Sequence, residues 1–255
     1  MSEVVNGNNI LLGRGKIYFD RLTSAGVRTG ELFLGNCPTF EISPSADDIK
    51  KYSSAEAGAP LIASDVLRTT LSLRIIGDEF SKENLAMALF GDNSTLSQTG
   101  AAITDEAIAN VLQGRYYPLL KRVVSAVVVT SDPAGTTYDV TDDYTVDAVS
   151  GRIYIVEGGA IADGSDILVD YTYGTIALPT VRGMNQTSIK GYLRFKGDPA
   201  RGPKYECEIW RASVKSDGAL GFIQDEYGSW QLTGDVESDA VNHPTEPHFR
   251  LIKVA

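Results

Sequence analysis

At 255 residues, with 43% hydrophobic and 22% charged content, the chain has a globular rather than a disordered composition and enough length for one large domain or two smaller ones. The start, MSEVVNGNN, has no basic segment and no apolar core, and no run approaches the ~18 apolar residues of a membrane span, so a soluble, non-secreted protein is expected. A net charge of −10, without a basic patch interleaved with aromatics, argues against a nucleic-acid grip.

In chain order, GKIYFDRL and ELFLGNCPTFEIS carry strand composition. The second holds Cys37, which with Cys207 makes only two cysteines; buried free thiols fit better than a disulfide framework or a zinc site. The next stretch, SPSADDIKKYSSAEAGAPLIASDV, keeps no period of either kind. A structureless loop of that length is uncommon in a compact domain. Folded back as a hairpin arm it reaches roughly 30–40 Å at ~3.3 Å per residue, beyond its own domain; a disordered surface loop is the plain alternative.

Over residues 68–76, Leu71, Leu73 and Ile75 alternate with Thr70, Ser72 and Arg74, giving one dry and one wet strand face. Residues 81–90 predict a helix: Ser81 caps it, Phe80 and Leu85 stand at staple spacing, and Gly91 suits a left-handed closing residue. TDEAIANVLQG has helical spacing at Ala107, Ile108, Val111 and Leu112 but leads into the extended RYYPLL, so its type stays open.

Residues 123–174 stand apart by charge. Nine acids (Asp132, Asp139, Asp142, Asp143, Asp147, Glu157, Asp163, Asp166 and Asp170) face the single base Arg152, a net of −8; the other 24 acids and 22 bases of the chain nearly cancel. Boundaries are therefore expected near Lys121-Arg122 and Gly174-Thr175. Inside, VVSAVVVT, TTYDV, DYTVD, RIYIV and ILVDYTY predict about five short strands of a small sandwich-like module. Asp143, Thr145 and Asp147 share one strand face, which reads as a solvated face rather than a calcium site, because the D-x-D-x-D-G loop and its distal Glu are missing.

Further on, residues 188–196 and 204–215, joined by GDPARGP, predict an antiparallel hairpin. Lys190, Arg194 and Lys196 on its wet face are answered by Glu206 and Glu208, with Ile189, Leu193 and Phe195 facing the core. SWQLTGDVE and HFRLIKVA are further strands. His243 and His248 lie in the loop HPTEPH, read as surface residues, with no G-x-S-x-G serine to serve; Walker A and G-x-G-x-x-G loops are missing too. Neither an enzyme nor a cofactor or metal is expected.

GRGKIYFDRL, then GNCPTFEIS leading into SADDIKKYSS, then LRTTLSLRI followed by FSKENLAMALFG, resembles the major tail protein of long-tailed, non-contractile bacteriophages. The insert, with DYTVDAVSGRIYI, GGAIADG and LVDYTY, is similar to a β module such proteins often carry. The resemblance implies a mainly β fold: a tail-tube β-sandwich or partly closed barrel with one flanking α-helix, formed by residues 1–122 and 175–255, plus the inserted β module at 123–174.

It also implies a structural virion protein, assembled in the host cytoplasm, whose hexameric rings stack into the tail tube for genome delivery. Implied partners are further copies of itself, tape measure and tail terminator or initiator proteins, and DNA in passage, with no membrane. The arm at about residues 43–66 takes the place of the ring-stacking arm, with Asp47, Asp48, Lys50, Lys51, Tyr52, Glu56 and Asp65 as contact residues. Arg74, Lys190, Arg194, Glu206 and Glu208 are the candidate lumen-facing residues. The acidic module is expected on the tube exterior, where repulsion keeps tubes from bundling. The alternative is a receptor- or carbohydrate-binding β module using Tyr138, Tyr144, Tyr154, Tyr171 and Tyr173 as aromatic platforms.

Overall fold

The computed structural model describes residues 6–23 and 25–254. In chain order its strands are β1 (Gly15–Arg21), β2 (Leu32–Phe33), β3 (Thr39–Tyr52), β4 (Leu61–Gly77), β5 (Asp92–Gln98), β6 (Ala101–Val111), β7 (Tyr116–Pro118), β8 (Val124–Ser131), β9 (Tyr144–Asp147), β10 (Arg152–Ile155), β11 (Ser165–Tyr173), β12 (Ile176–Arg182), β13 (Ile189–Gly197), β14 (Tyr205–Ser216), β15 (Trp230–Val236) and β16 (Phe249–Lys253). One α-helix, α1 (Lys82–Ala88), follows β4. The fold is mainly β, as the composition predicts, and divides into two compact units: Met1–Asn93 with Val181–Ala255, and Ser94–Thr180.

The first unit is built on an eight-stranded antiparallel sheet, order β2-β1-β13-β14-β15-β4-β3, with β16 also on β14. The expected partly closed barrel is instead an open sheet among the described residues. β2 is too short to carry the sheet further, and β3 pairs with β4 alone. Period-two alternation sends Ile17, Phe19, Leu73, Ile75, Leu193, Ile209 and Leu232 to one face, where they are buried with Met87 and Ala88 of α1. The β13–β14 hairpin forms as its charges predict, Arg194 opposite Glu208 and Lys196 opposite Glu206; a register shift leaves Trp210 and Arg211 as a bulge in β14.

The helix starts where its cap predicts: the Ser81 hydroxyl accepts the Asn84 N–H at 3.1 Å. Its end differs from expectation. Phe90, at φ +50°, is the left-handed residue, while the Gly91 N–H bonds to the Ala86 carbonyl at 2.7 Å and the Phe90 N–H to Met87 at 3.4 Å. Gly91 is needed for a different reason: a Cβ there would collide with the carbonyl of Arg182. Buried Asn84 ties the helix to the sheet by donating to the carbonyls of Leu34 (2.9 Å) and Glu79 (2.8 Å); Trp230 Nε1 donates to the same Glu79 carbonyl at 3.0 Å.

The second unit has two three-stranded sheets, β7-β10-β9 and β6-β11-β8. Their inner faces bury Val111, Leu119, Val129, Ile153, Ile155, Ile167 and Val169. The predicted sandwich is present, but its extent is not that of the acidic segment: the unit begins at Ser94, not at 123, and runs to Thr180. β6 and β7 lie upstream of the charge shift, and Val111 of β6 with Leu119, just after β7, completes the core, so the charge boundary cuts through one hydrophobic cluster. TDEAIANVLQG resolves as strand β6, its apolar residues paired with β11. TTYDV forms only isolated bridges at Thr137 and Val140.

Candidate assembly surfaces

The aperiodic stretch after residue 42 is a hairpin. β3 and β4 stay paired from Thr39 opposite Ile76 out to Tyr52 opposite Leu61, with register shifts at Asp47/Asp48 and Lys51/Tyr52. Burial stops at Leu71; residues 43–52 and 61–70 are exposed on both faces. The exposed residues 61–70 of β4, at about 3.3 Å per residue, make an arm roughly 30 Å long. Charged and apolar residues are mixed on each face: Asp48 lies opposite Val66, Ile49 opposite Asp65, Lys50 opposite Ser64 and Lys51 opposite Ala63. This mixing is why no period was legible in the sequence. Ile49, Tyr52, Leu61, Ile62, Val66 and Leu67 are all more than half exposed. Asp47 pairs with Arg68 across the strands at 3.0 Å, and Glu56 sits in the exposed tip turn. At the arm's base a hollow of about 380 Å³ is lined by Pro44, Ala46, Leu71, His248 and Phe249.

The five residues proposed for a lumen share the sheet face opposite the core. Register places Lys190, Arg194, Glu206 and Glu208 there on β13 and β14, and carries the same face through Thr233 to Arg74. They are not free charges. Arg194 bonds Glu31 at 3.0 Å and Glu208 at 3.1 Å, Glu208 bonds Arg250 at 2.7 Å, and Lys190 bonds Glu237 at 2.6 Å. Arg74 reaches Gln231 at 3.1 Å and Glu41 at 3.5 Å, and Lys196 lies 3.9 Å from Glu206. Burial alone would raise the Glu208 carboxyl, but Arg250, the Tyr192 hydroxyl and Arg194 outweigh it and hold it below its usual range.

On this face is a cavity of about 500 Å³ whose walls sequence reading did not find. Tyr192 lies under the Arg28 guanidinium at 4.2 Å, and Trp210 is stacked on half-buried His243, 3.6 Å between ring centroids and 2° from parallel. His243 is therefore a packed residue, not a free surface one. Buried Asp20 holds Arg28 in place by accepting from it, and it also accepts from the N–H groups of Thr29 (2.8 Å) and Gly30 (2.7 Å); these bonds overcome its burial and lower its carboxyl. Burial beside Glu208 pushes the Tyr192 hydroxyl up to about 12. Each cation of the cavity thus has a carboxylate of its own chain. The bulge that turns Trp210 and Arg211 to this face depends on pairing with β13, which no local pattern announces.

In the second unit the acids act on the backbone. Asp143 accepts from the N–H groups of Ala160 (2.6 Å) and Asp139 (2.9 Å), and these bonds lower its carboxyl. Asp147 bonds Arg152 at 2.6 Å and the Ser150 N–H at 3.1 Å, bringing its carboxyl to about 2. Asp163, Asp166 and Asp170 accept from Gln113, Asn110 and Asp105, the last two at left-handed positions of β6. Tyr144 and Tyr171 are buried, and Tyr138 and Tyr173 pack against the same core, so they are not platforms. Tyr154 packs on Tyr116, 4.9 Å between rings. Among the described residues no group of three or more His, Cys, Asp or Glu is placed to hold a metal ion. Both cysteines are free, and burial pushes the thiols of Cys37 and Cys207 up to about 12 and about 11.

A family model covers residues 10–248, nearly the whole of both units. The chain belongs to the family described as Protein of unknown function UCP028589. None of the curated proteins matches it.

Proposed function

We propose that this protein is a structural, self-assembling subunit of a bacteriophage tail tube. The observation that carries the reading is the β3–β4 arm: a hairpin about 30 Å long, exposed on both faces and studded with large apolar side chains, is a poor solvated surface and a good contact with another chain. Open edges support it, since among the described residues β3 pairs only with β4 and β16 only with β14, leaving main-chain groups for strand addition. The self-paired charges of the β13–β14 face suit a lumen wall, because cations already engaged by carboxylates hold phosphates weakly and let DNA slide. The receptor-binding alternative loses its support, as the tyrosines it needs are core or packing residues.

Negative-stain electron microscopy of the purified protein, over a range of concentrations, tests the reading. Rings or tubes with a central channel are expected. A protein that stays monomeric at the highest soluble concentration would overturn it.

A further inference from the structure

The eight-stranded sheet is electrically polar along its strands. β14 runs from Tyr205 to Ser216, and its neighbours fix what lies at each end. Tyr205 stands opposite Lys253, Glu206 opposite Lys196, and Gly197 opposite Gly15. Ser216 stands opposite Leu232, two residues from Trp230, which is opposite Gly77. The Tyr205 end therefore gathers Arg14, Lys16, Lys196, Arg201, Lys204 and Lys253 against two acids, Asp198 and Glu206. The Ser216 end gathers Asp78 and Glu79, just after β4, with Glu83 and with Asp217, Asp225 and Glu226 of the loop after β14; the bases beside them are Lys215 and Lys82, the latter paired with Glu83 at 3.5 Å. A chain whose net charge is −10 thus carries a net positive end and a net negative end on one sheet.

Both ends also expose apolar surface. In the loop after β14, Phe222 is 78%, Ile223 99% and Tyr227 100% exposed. This loop is held in place: Leu220 packs on the core, and the Asp217 N–H bonds to the Gln231 carbonyl at 3.0 Å. At the other end Ile10, Leu11, Leu12 and Leu251 are more than half exposed, with Leu12 fastened to the β13–β14 turn through Arg201. β4 runs in the same direction as β14, being antiparallel to β15, so residues 61–70 of the arm leave the sheet toward this same positive end.

We infer that a second copy of this chain docks end to end on the first, its acidic apolar loop 217–229 seated against the basic apolar end formed by residues 10–16, 196–204 and 253. Opposite charges and exposed apolar side chains from both ends meet in this arrangement, whereas like ends repel, so the contact is head to tail and repeats. This inference rests on the self-assembly reading above and names the junction that stacking uses.

The test uses two full-length variants and sedimentation velocity. One carries Phe222→Ser, Ile223→Ser and Tyr227→Ser and keeps the basic end; the other carries Lys196→Glu and Lys253→Glu and keeps the loop. Both are expected to melt as the parent does and to stop at an unstacked species. An equal mixture has one working junction per pair, so its mass should double and go no further. Raising ionic strength from about 0.05 to about 0.5 M should weaken that pairing by about tenfold. A mixture that keeps the mass of its components, or variants that each stack like the parent, overturns the inference. Should either variant melt far below the parent, the milder pair Asp225→Asn with Glu226→Gln and Lys196→Gln with Lys253→Gln is read in its place, for the loss of stacking in each. Tubes from both variants would leave the tube reading standing and the junction wrong. Head-to-tail chains without a channel would do the reverse.

Discussion

Removing the arm separates a role between chains from a role within the fold. Ala46 lies opposite Thr69, so residues 47–68 can be replaced by Asn-Gly, a two-residue hairpin turn, without changing the register beneath. The deletion takes out every arm residue proposed for stacking, from Asp47 to Asp65, and leaves the 217–229 loop and the basic end in place. It removes no buried side chain, because burial on β4 begins at Leu71. The ion pair lost is Asp47–Arg68, with both side chains about two-thirds exposed, worth ~0–1 kcal/mol. Shortening the connection returns ~0.6 kcal/mol per halving of its length. Going from 22 residues to two is about three and a half halvings, ~2 kcal/mol in all, which exceeds the lost pair, so Tm should not fall and should rise by at most ~8 °C. For comparison, Leu193→Ala in the core should cost ~2–5 kcal/mol. Circular dichroism melts and electron microscopy of the same samples give the two readouts. Expected are a melt no lower than the parent's and no tubes. Tubes of parental length would show that the arm is ordinary surface, and a Tm lower by more than about 10 °C would show that it is part of the fold.

Three further outcomes follow from the units described. Residues 94–180 expressed alone should fold cooperatively, whereas replacing only 123–174 with a linker strands Val111 and Leu119 without their core and should give aggregated protein; solubility and near-ultraviolet dichroism decide. In the second unit the folded-state carboxyls of Asp143 and Asp147 lie below their unfolded value of 3.8, so their stabilisation is complete above about pH 4 and lost as pH falls toward about 2. Asp147→Asn should flatten the dependence of Tm on pH in that window, and an unchanged slope would refute the assignment. Asn84→Asp puts a carboxylate against the carbonyls of Leu34 and Glu79 in a buried site and should cost at least ~3 kcal/mol by urea unfolding, with Asn84→Ala costing less.

Local pattern determined many of the strands, the Ser81 cap, the β13–β14 hairpin and the dry face of Leu71, Leu73 and Ile75, because a period of two and a capping residue are written within a few positions of one another; β5 and β12 carried no such signal. Charge marked the acidic segment but not its true edges. Charge reports what faces water, while a unit is bounded by what it buries, and Val111 and Leu119 reach that core from a nearly neutral stretch. The same reason explains β6, whose helical spacing gives way to pairing with β11. Only tertiary structure decided that the acids of β11 and its neighbouring turns bond the backbone of a facing strand. Likewise, Trp210 and His243, 33 positions apart, stack only because the sheet turns a bulge toward a loop, and the two charged ends of β14 are assembled from segments scattered between residues 10 and 253. Such contacts depend on register between strands distant in sequence, which no single segment encodes.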